Sequence, residues 1–151
     1  MLLIKLGDLF ESDCQAIVNT VNCVGVAGAG VALGFKKRYP EWFREYQERC
    51  KMGFVKPGSV FPWSIPGQEN RIILSVATKN HWKHPSQYQW IWEGVGNLHF
   101  GYISARNVKS IAMPFLGCGN GGLDKGLVLR IIQLFHDVFW TNMMVTVYEH
   151  K

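Results

Sequence analysis

Ala16-Ile17-Val18-Asn19-Thr20-Val21-Asn22, followed shortly by Gly28-Ala29-Gly30-Val31-Ala32-Leu33, decides how the rest of this 151-residue chain is read. Ala16 to Val21 is apolar, rich in β-branched residues and bounded by turn-formers, so it reads as a strand, and Gly25 to Gly30 interrupts it before a helical pattern begins at Val31. The arrangement recurs: Ser110 to Phe115 reads as a buried strand, Gly117 to Gly122 as a loop and Asp124 to Asp137 as an amphipathic helix. Glycines accept positive φ and let bare backbone N–H groups approach an anion, while a helix behind them adds partial positive charge at its N-terminus. Each loop is therefore expected to cradle a phosphate. Two such loops at the carboxyl ends of strands in one sheet would together grip one diphosphate, because ligands of open α/β sheets gather at that edge.

Working outward, Leu2 to Leu6, Gly58 to Trp63, Arg71 to Thr78 and Met143 to Tyr148 read as further strands, with Pro66 to Asn70 as the turn between the middle two. From Val31 to Lys51 the helical spacing breaks at Tyr39-Pro40, predicting two helices that meet there, the second carrying Trp42, Phe43 and Tyr46. Tyr88, Ile91, Trp92, Val95, Leu98 and Tyr102 recur at three or four residues and predict one helix despite Gly94, Gly96 and Gly101, with Trp90 and Trp92 assigned to its buried face. Strands alternating with helices imply a single three-layer α/β domain, with neither repeat nor interdomain linker.

The composition narrows the function classes. Cys14, Cys23, Cys50 and Cys118 are scattered without CxxC or Cys/His spacing, so neither a metal site nor a disulfide framework is expected. Apolar runs such as Ile72 to Ala77 fall well short of the ~20 residues of a membrane span and no signal peptide opens the chain, so a soluble cytoplasmic protein is expected. The net charge of +5 comes with basic clusters at Lys36-Lys37-Arg38 and at Lys79, His81, Lys83 and His84, the second enclosing Trp82. Positive charge with an exposed aromatic is how single-stranded nucleic acid is neutralised and stacked, which makes His81, Trp82 and Lys83 nucleic-acid candidates. Gly117-Cys118-Gly119-Asn120-Gly121-Gly122 formally matches GxGxxG, yet too little chain follows it for a dinucleotide unit, and no GK[ST] sequence supplies a P-loop.

Gly7-Asp8, then Ala16 to Asn22, then Gly28-Ala29-Gly30-Val31-Ala32, then Pro114-Phe115-Leu116-Gly117-Cys118-Gly119 occur in order, and together they resemble the macro domain family over nearly the whole chain. The resemblance implies a three-layer α/β/α fold with a mixed central sheet, and ADP-ribose as ligand or product with no cofactor or metal. It also implies that Asp8, with Leu9 beside it, accepts from the adenine amino group and that Asn22 contacts the distal ribose. Gly28, Ala29, Gly30 and Val31 would cradle the diphosphate together with Gly117, Cys118, Gly119, Asn120, Gly121, Gly122 and Leu123. Read on their own chemistry, Asp8 can equally cap the following turn, and Asn19 is better read as structural.

Within the family, Thr78-Lys79-Asn80-His81-Trp82 and Gly121-Gly122-Leu123-Asp124 look most like the DarG branch, antitoxins that remove ADP-ribose from DNA thymine, and the related terminal ADP-ribose protein glycohydrolase. That likeness implies Lys79 as catalytic lysine, attacking the anomeric C1″ or its ring-opened aldehyde, and Asp124 as proton carrier. Asp124 also begins a predicted helix, where capping is an equal expectation. Asn80 and Lys125 depart from the branch pattern. ADP-ribosylated DNA is the expected substrate, a DarT-like ADP-ribosyltransferase toxin the expected counterpart and a monomer the expected state. ADP-ribosyl esters on protein, or a non-catalytic reader of ADP-ribose, are the alternatives.

Overall fold

The computed structural model describes residues 1–150, built on one six-stranded sheet of order β1-β6-β5-β2-β4-β3. Its strands are β1 (Leu2–Leu6), β2 (Ala16–Asn22), β3 (Val60–Ser64), β4 (Ile72–Lys79), β5 (Ser110–Pro114) and β6 (Met144–Glu149). All neighbours pair in parallel except β3, which closes one edge antiparallel to β4, so the sheet is mixed. The helices are α1 (Gly30–Arg38), α2 (Pro40–Lys51), α3 (Tyr88–Leu98) and α4 (Lys125–Phe139). Among the described residues no helix is long and apolar enough to cross a membrane.

Side-chain alternation divides the core between the two faces of the sheet. Ala16 and Val18 of β2, Leu74 and Val76 of β4 and Met113 of β5 join Ile91, Val95 and Leu98 of α3 and Val128, Ile131 and Ile132 of α4. Ile17 and Val21, Ile73 and Ala77, and Ala112 point the other way, against Phe35 of α1 and Trp42 and Tyr46 of α2. This is the expected three-layer arrangement. Because β2 lies between two strands and two helical layers, it is buried nearly end to end, as parallel strands are.

Pro40 opens α2 at its first position, where a missing N–H costs nothing, and Tyr39 carries the break between α1 and α2. On the opposite face α3 is shorter than the apolar spacing predicts and continues as a π-helical turn, His99–Ile103. Gly94 lets it lie close to the sheet, since a Cβ there would sit 2.6 Å from Val76 Cγ1. The assignment of Trp92 to the buried face is corrected: it is 43 % exposed, resting its ring on Phe135, and Trp90 is only half-buried. The buried stripe runs through Ile91, Gly94, Val95 and Leu98, which places both tryptophans to its sides.

Two buried aromatic contacts carry specific polar partners. Trp42 is fully buried, stacks on Tyr46 at 5.2 Å and donates its indole N–H to Ser75 Oγ at 3.1 Å. Trp42→Phe is expected to lower unfolding free energy by about 2 kcal/mol, through lost volume and a Ser75 hydroxyl that loses the shorter of its two donors, measurable by denaturant titration. At the far side Trp140 donates its indole N–H to His99 Nδ1 at 3.0 Å, and Phe139 stacks on the imidazole at 4.4 Å. Burial holds the His99 pKa below its ordinary 6.5, so the unfolded chain takes up that proton more readily than the native one. Stability should therefore be full above 6.5 and fall as pH drops below it; thermal melts of His99→Gln should show a shallower acid decline.

Candidate functional site

The carboxyl ends of all five parallel strands open into one cleft of about 1000 Å³, whose walls include Leu6 of β1, Asn22 of β2, Lys79 of β4, Pro114 of β5 and Tyr148 of β6. The segment from Gly28 to Ala32 forms one side and Gly117 to Gly121 the other. These loops leave β2 and β5, which are hydrogen-bonded neighbours at the centre of the sheet.

The two loops offer donors in different ways. Ala29 caps α1 without a side-chain hydrogen bond, and the first backbone bond of that helix is Leu33 N–H to Ala29 O, 3.2 Å. The N–H groups of Gly30, Val31 and Ala32 are thus left to an outside acceptor, and α1 carries no acidic residue in its first turn to answer its dipole. In the second loop Gly121 N–H and Gly122 N–H close back on Cys118 and Gly119, while those of Gly119 and Asn120 make no bond within the described residues. The helix behind that loop is already answered: Asp124 caps α4, its Oδ2 accepting from Leu127 N–H at 3.0 Å. Of the two helices behind the glycine loops, α1 therefore starts without a side-chain cap, and the capping expected of Asp124 is seen at α4.

Asn22 and Ser86 set the loop shapes from beneath. Asn22 Oδ1 accepts from Tyr46 Oη–H at 2.8 Å and from Val24 N–H at 3.0 Å, and its Nδ2 donates to Val26 O at 2.7 Å. Its amide is therefore spent largely on the turn it begins, leaving one Nδ2 proton beyond these bonds. Burial raises the Tyr46 pKa well above the phenol range, keeping that hydroxyl a donor. Ser86 donates its backbone N–H to Gly121 O at 2.9 Å and packs under Gly117 and Gly121, where added Cβ atoms would each lie 3.2 Å from its own. Neither Tyr46 nor Ser86 was singled out as a site residue; Tyr46 shows in sequence only as part of a core stripe, and Ser86 carries no local signal.

Asp8 does cap the following 3-10 turn, Oδ1 accepting from Phe10 N–H at 2.9 Å, while standing exposed on the cleft wall with Leu9 buried next to it. Asn19 is wholly buried and donates to Ser75 Oγ at 3.4 Å, in keeping with a structural role. Cys118 lines the cleft, and burial pushes its thiol pKa up, which favours the neutral thiol there. Lys79 closes β4 on the cleft wall, its Nζ donating to Trp82 O at 3.1 Å. His81, Trp82 and Lys83 occupy the turn that follows rather than the wall itself: His81 stacks on Trp82 at 5.5 Å and Lys83 Nζ lies 5.0 Å from the Trp82 ring centre. Gly122, Leu123 and Asp124 likewise lie just past the wall.

A family model described as "Macro domain" matches residues 18–132. A Mycobacterium tuberculosis protein named DNA ADP-ribosyl glycohydrolase is 42% identical over 142 residues, 91% of this chain and 40% of its own length. A Thermus aquaticus protein of the same name is 44% identical over 88% of this chain and 37% of its own. The solved macrodomain of Thermus aquaticus DarG superposes with a TM-score of 0.90 at 41% identity, covering 99% of this chain and 98% of that one. Thermosipho africanus DarTG, solved in complex with ADP-ribose, gives 0.85 at 27% identity over 99% of this chain and 42% of that one. The chain thus spans about 40% of the length of the curated relatives it matches.

Glycine at 117 is required both by backbone and by packing. At φ 74° an added Cβ would meet Leu123 Cδ1 at 2.8 Å and Ile91 Cδ1 at 2.9 Å, whereas at Gly119, φ 64°, nothing lies within 4 Å. Gly117→Ala should cost about 2–4 kcal/mol and Gly119→Ala about 1–2 kcal/mol in denaturant titrations, the difference being the packing contribution.

Proposed function

The chain belongs to the macro domain family, and on that premise we propose that its cleft binds ADP-ribose and that the protein is a lysine-dependent glycohydrolase releasing ADP-ribose from modified DNA. The observation that carries the reading is the order of groups along the sheet edge. Asp8 follows β1, the Gly117 loop leaves β5, the Gly28 loop follows β2, and Lys79 ends β4. From β1 to β4 is roughly 19 Å at ordinary strand spacing. Adenine, diphosphate and distal ribose fall in that same order when ADP-ribose lies along the cleft with its adenine at Asp8.

In this pose the diphosphate meets the vacant N–H groups of Gly30, Val31 and Ala32 from one side and of Gly119 and Asn120 from the other. The distal ribose then comes to Asn22 and Lys79, with the remaining Asn22 amide proton available to a ribose hydroxyl. Once deprotonated, the Lys79 amine bonds to C1″ as the glycosidic bond breaks, and the departing base takes the bonding electron pair and a proton. Water then displaces the amine from C1″. Asp124 has Oδ1 left for proton transfer, its other oxygen being held by Leu127.

A DNA substrate is supported by the exposed His81-Trp82-Lys83 turn beside Lys79, by the +5 charge and by the names of relatives at 42% and 44% identity. A DarT-like transferase is the corresponding source of modified DNA, in keeping with the Thermosipho africanus relative, a protein named as a transferase–glycohydrolase fusion.

The test is release of ADP-ribose from ADP-ribosylated single-stranded DNA and from ADP-ribosylated glutamyl protein, by wild type and Lys79→Ala. Release from DNA, reduced at least about 100-fold in the variant, is the expected outcome. Preference for the glutamyl conjugate would move the substrate to protein, and retained ADP-ribose binding without release would make the protein a reader.

A further inference from the structure

Backbone N–H groups supply the cleft with donors but no full charge, whereas a diphosphate is an anion. Three lysines stand on the wall: Lys5, Lys79 and Lys125. Lys5 belongs to the edge strand β1 and lies 5.9 Å from the Tyr148 ring centre, and Lys79 ends β4 with its ammonium on the Trp82 carbonyl. Lys125 is placed between them. It is the first residue of α4, directly behind the Gly117 to Gly122 loop, with its Nζ 5.5 Å from the Phe115 ring centre. Its charge also reaches the loop, partly opposing the effect of burial on the Cys118 thiol.

The partner of Lys125 is Glu149, at the end of β6 and outside the cleft wall, with 2.8 Å between Nζ and Oε1. The two side chains are 51% and 40% exposed. An ion pair so open to water contributes little to folding, so releasing it is cheap, while an ammonium–phosphate hydrogen bond is charge-assisted on both sides.

We propose that Lys125 exchanges Glu149 for the diphosphate when ligand enters, making it the charge-neutralising residue of the cleft and Glu149 its competitor. This rests on the ADP-ribose reading given above. It assigns the exposed salt bridge a function in affinity rather than in holding α4 to β6, and the two functions predict opposite behaviour of the two partners.

Calorimetric titration of ADP-ribose into wild type, Lys125→Gln, Lys125→Arg, Glu149→Gln and the Lys125→Gln/Glu149→Gln double variant, at low and at moderate salt, separates them. Lys125→Gln should bind about five- to tenfold more weakly, with a flatter salt dependence and an unchanged thermal midpoint, and Lys125→Arg should retain affinity. Glu149→Gln should bind about two- to threefold more tightly, and that gain should vanish in the double variant. Unchanged affinity in Lys125→Gln, or weakening by both single substitutions, would overturn the proposal while leaving the ADP-ribose reading in place. Failure of the wild type to bind ADP-ribose would overturn both.

Discussion

Parallel hydrogen bonding of β2 to β5 on one side and to β4 on the other leaves the central strand without an edge, and the remaining architecture follows from that pairing. Parallel neighbours cannot be joined by tight turns, so each connection must cross a face of the sheet and cover it. One face receives α1 and α2, the other α3 and α4, and β2 is buried between them. The same parallelism sends every strand exit of β1, β6, β5, β2 and β4 to one edge, so loops far apart in the chain line a single cleft.

What makes that cleft suited to an anion is the distribution of unsatisfied donors. The turn after β2 is shaped by Asn22, which is itself held by the Tyr46 hydroxyl from α2, so the donor-bearing start of α1 is fixed by the layer below it. The turn after β5 is fixed from the opposite layer by Ser86 and the apolar contacts around Gly117. Rigid support from both faces means that little ordering is left to accompany ligand binding, which is how preorganised sites gain affinity.

Polar chemistry inside the domain is placed with the same economy. The Asn19–Ser75–Trp42 contacts, between the sheet and α2, and the Trp140–His99 pair on the other face satisfy donors away from the cleft. The turn after Lys79 instead carries exposed charge and an exposed aromatic, with His81 and Lys83 both against the Trp82 ring at the β4 end of the cleft.

Strand and helix positions, the break at Pro40 and the two glycine loops were legible in sequence because each depends on local periodicity or on backbone conformations few residues tolerate. Family motifs added the sheet type and the candidates Asp8, Asn22, Lys79 and Asp124. The side of α3 on which Trp92 lies was not legible, since a helical stripe and its neighbour differ by one residue and only the packing of Gly94 against Val76 chooses between them. Nor were the support given by Tyr46 and Ser86, the capped state of α4 beside the vacant start of α1, or the pairing of Lys125 with Glu149. By itself the sequence determined which segments form strands, helices and phosphate-suited loops, because those are local properties; only the tertiary structure decided which backbone donors remain free and which charges face the cleft, because those depend on partners distant in the chain.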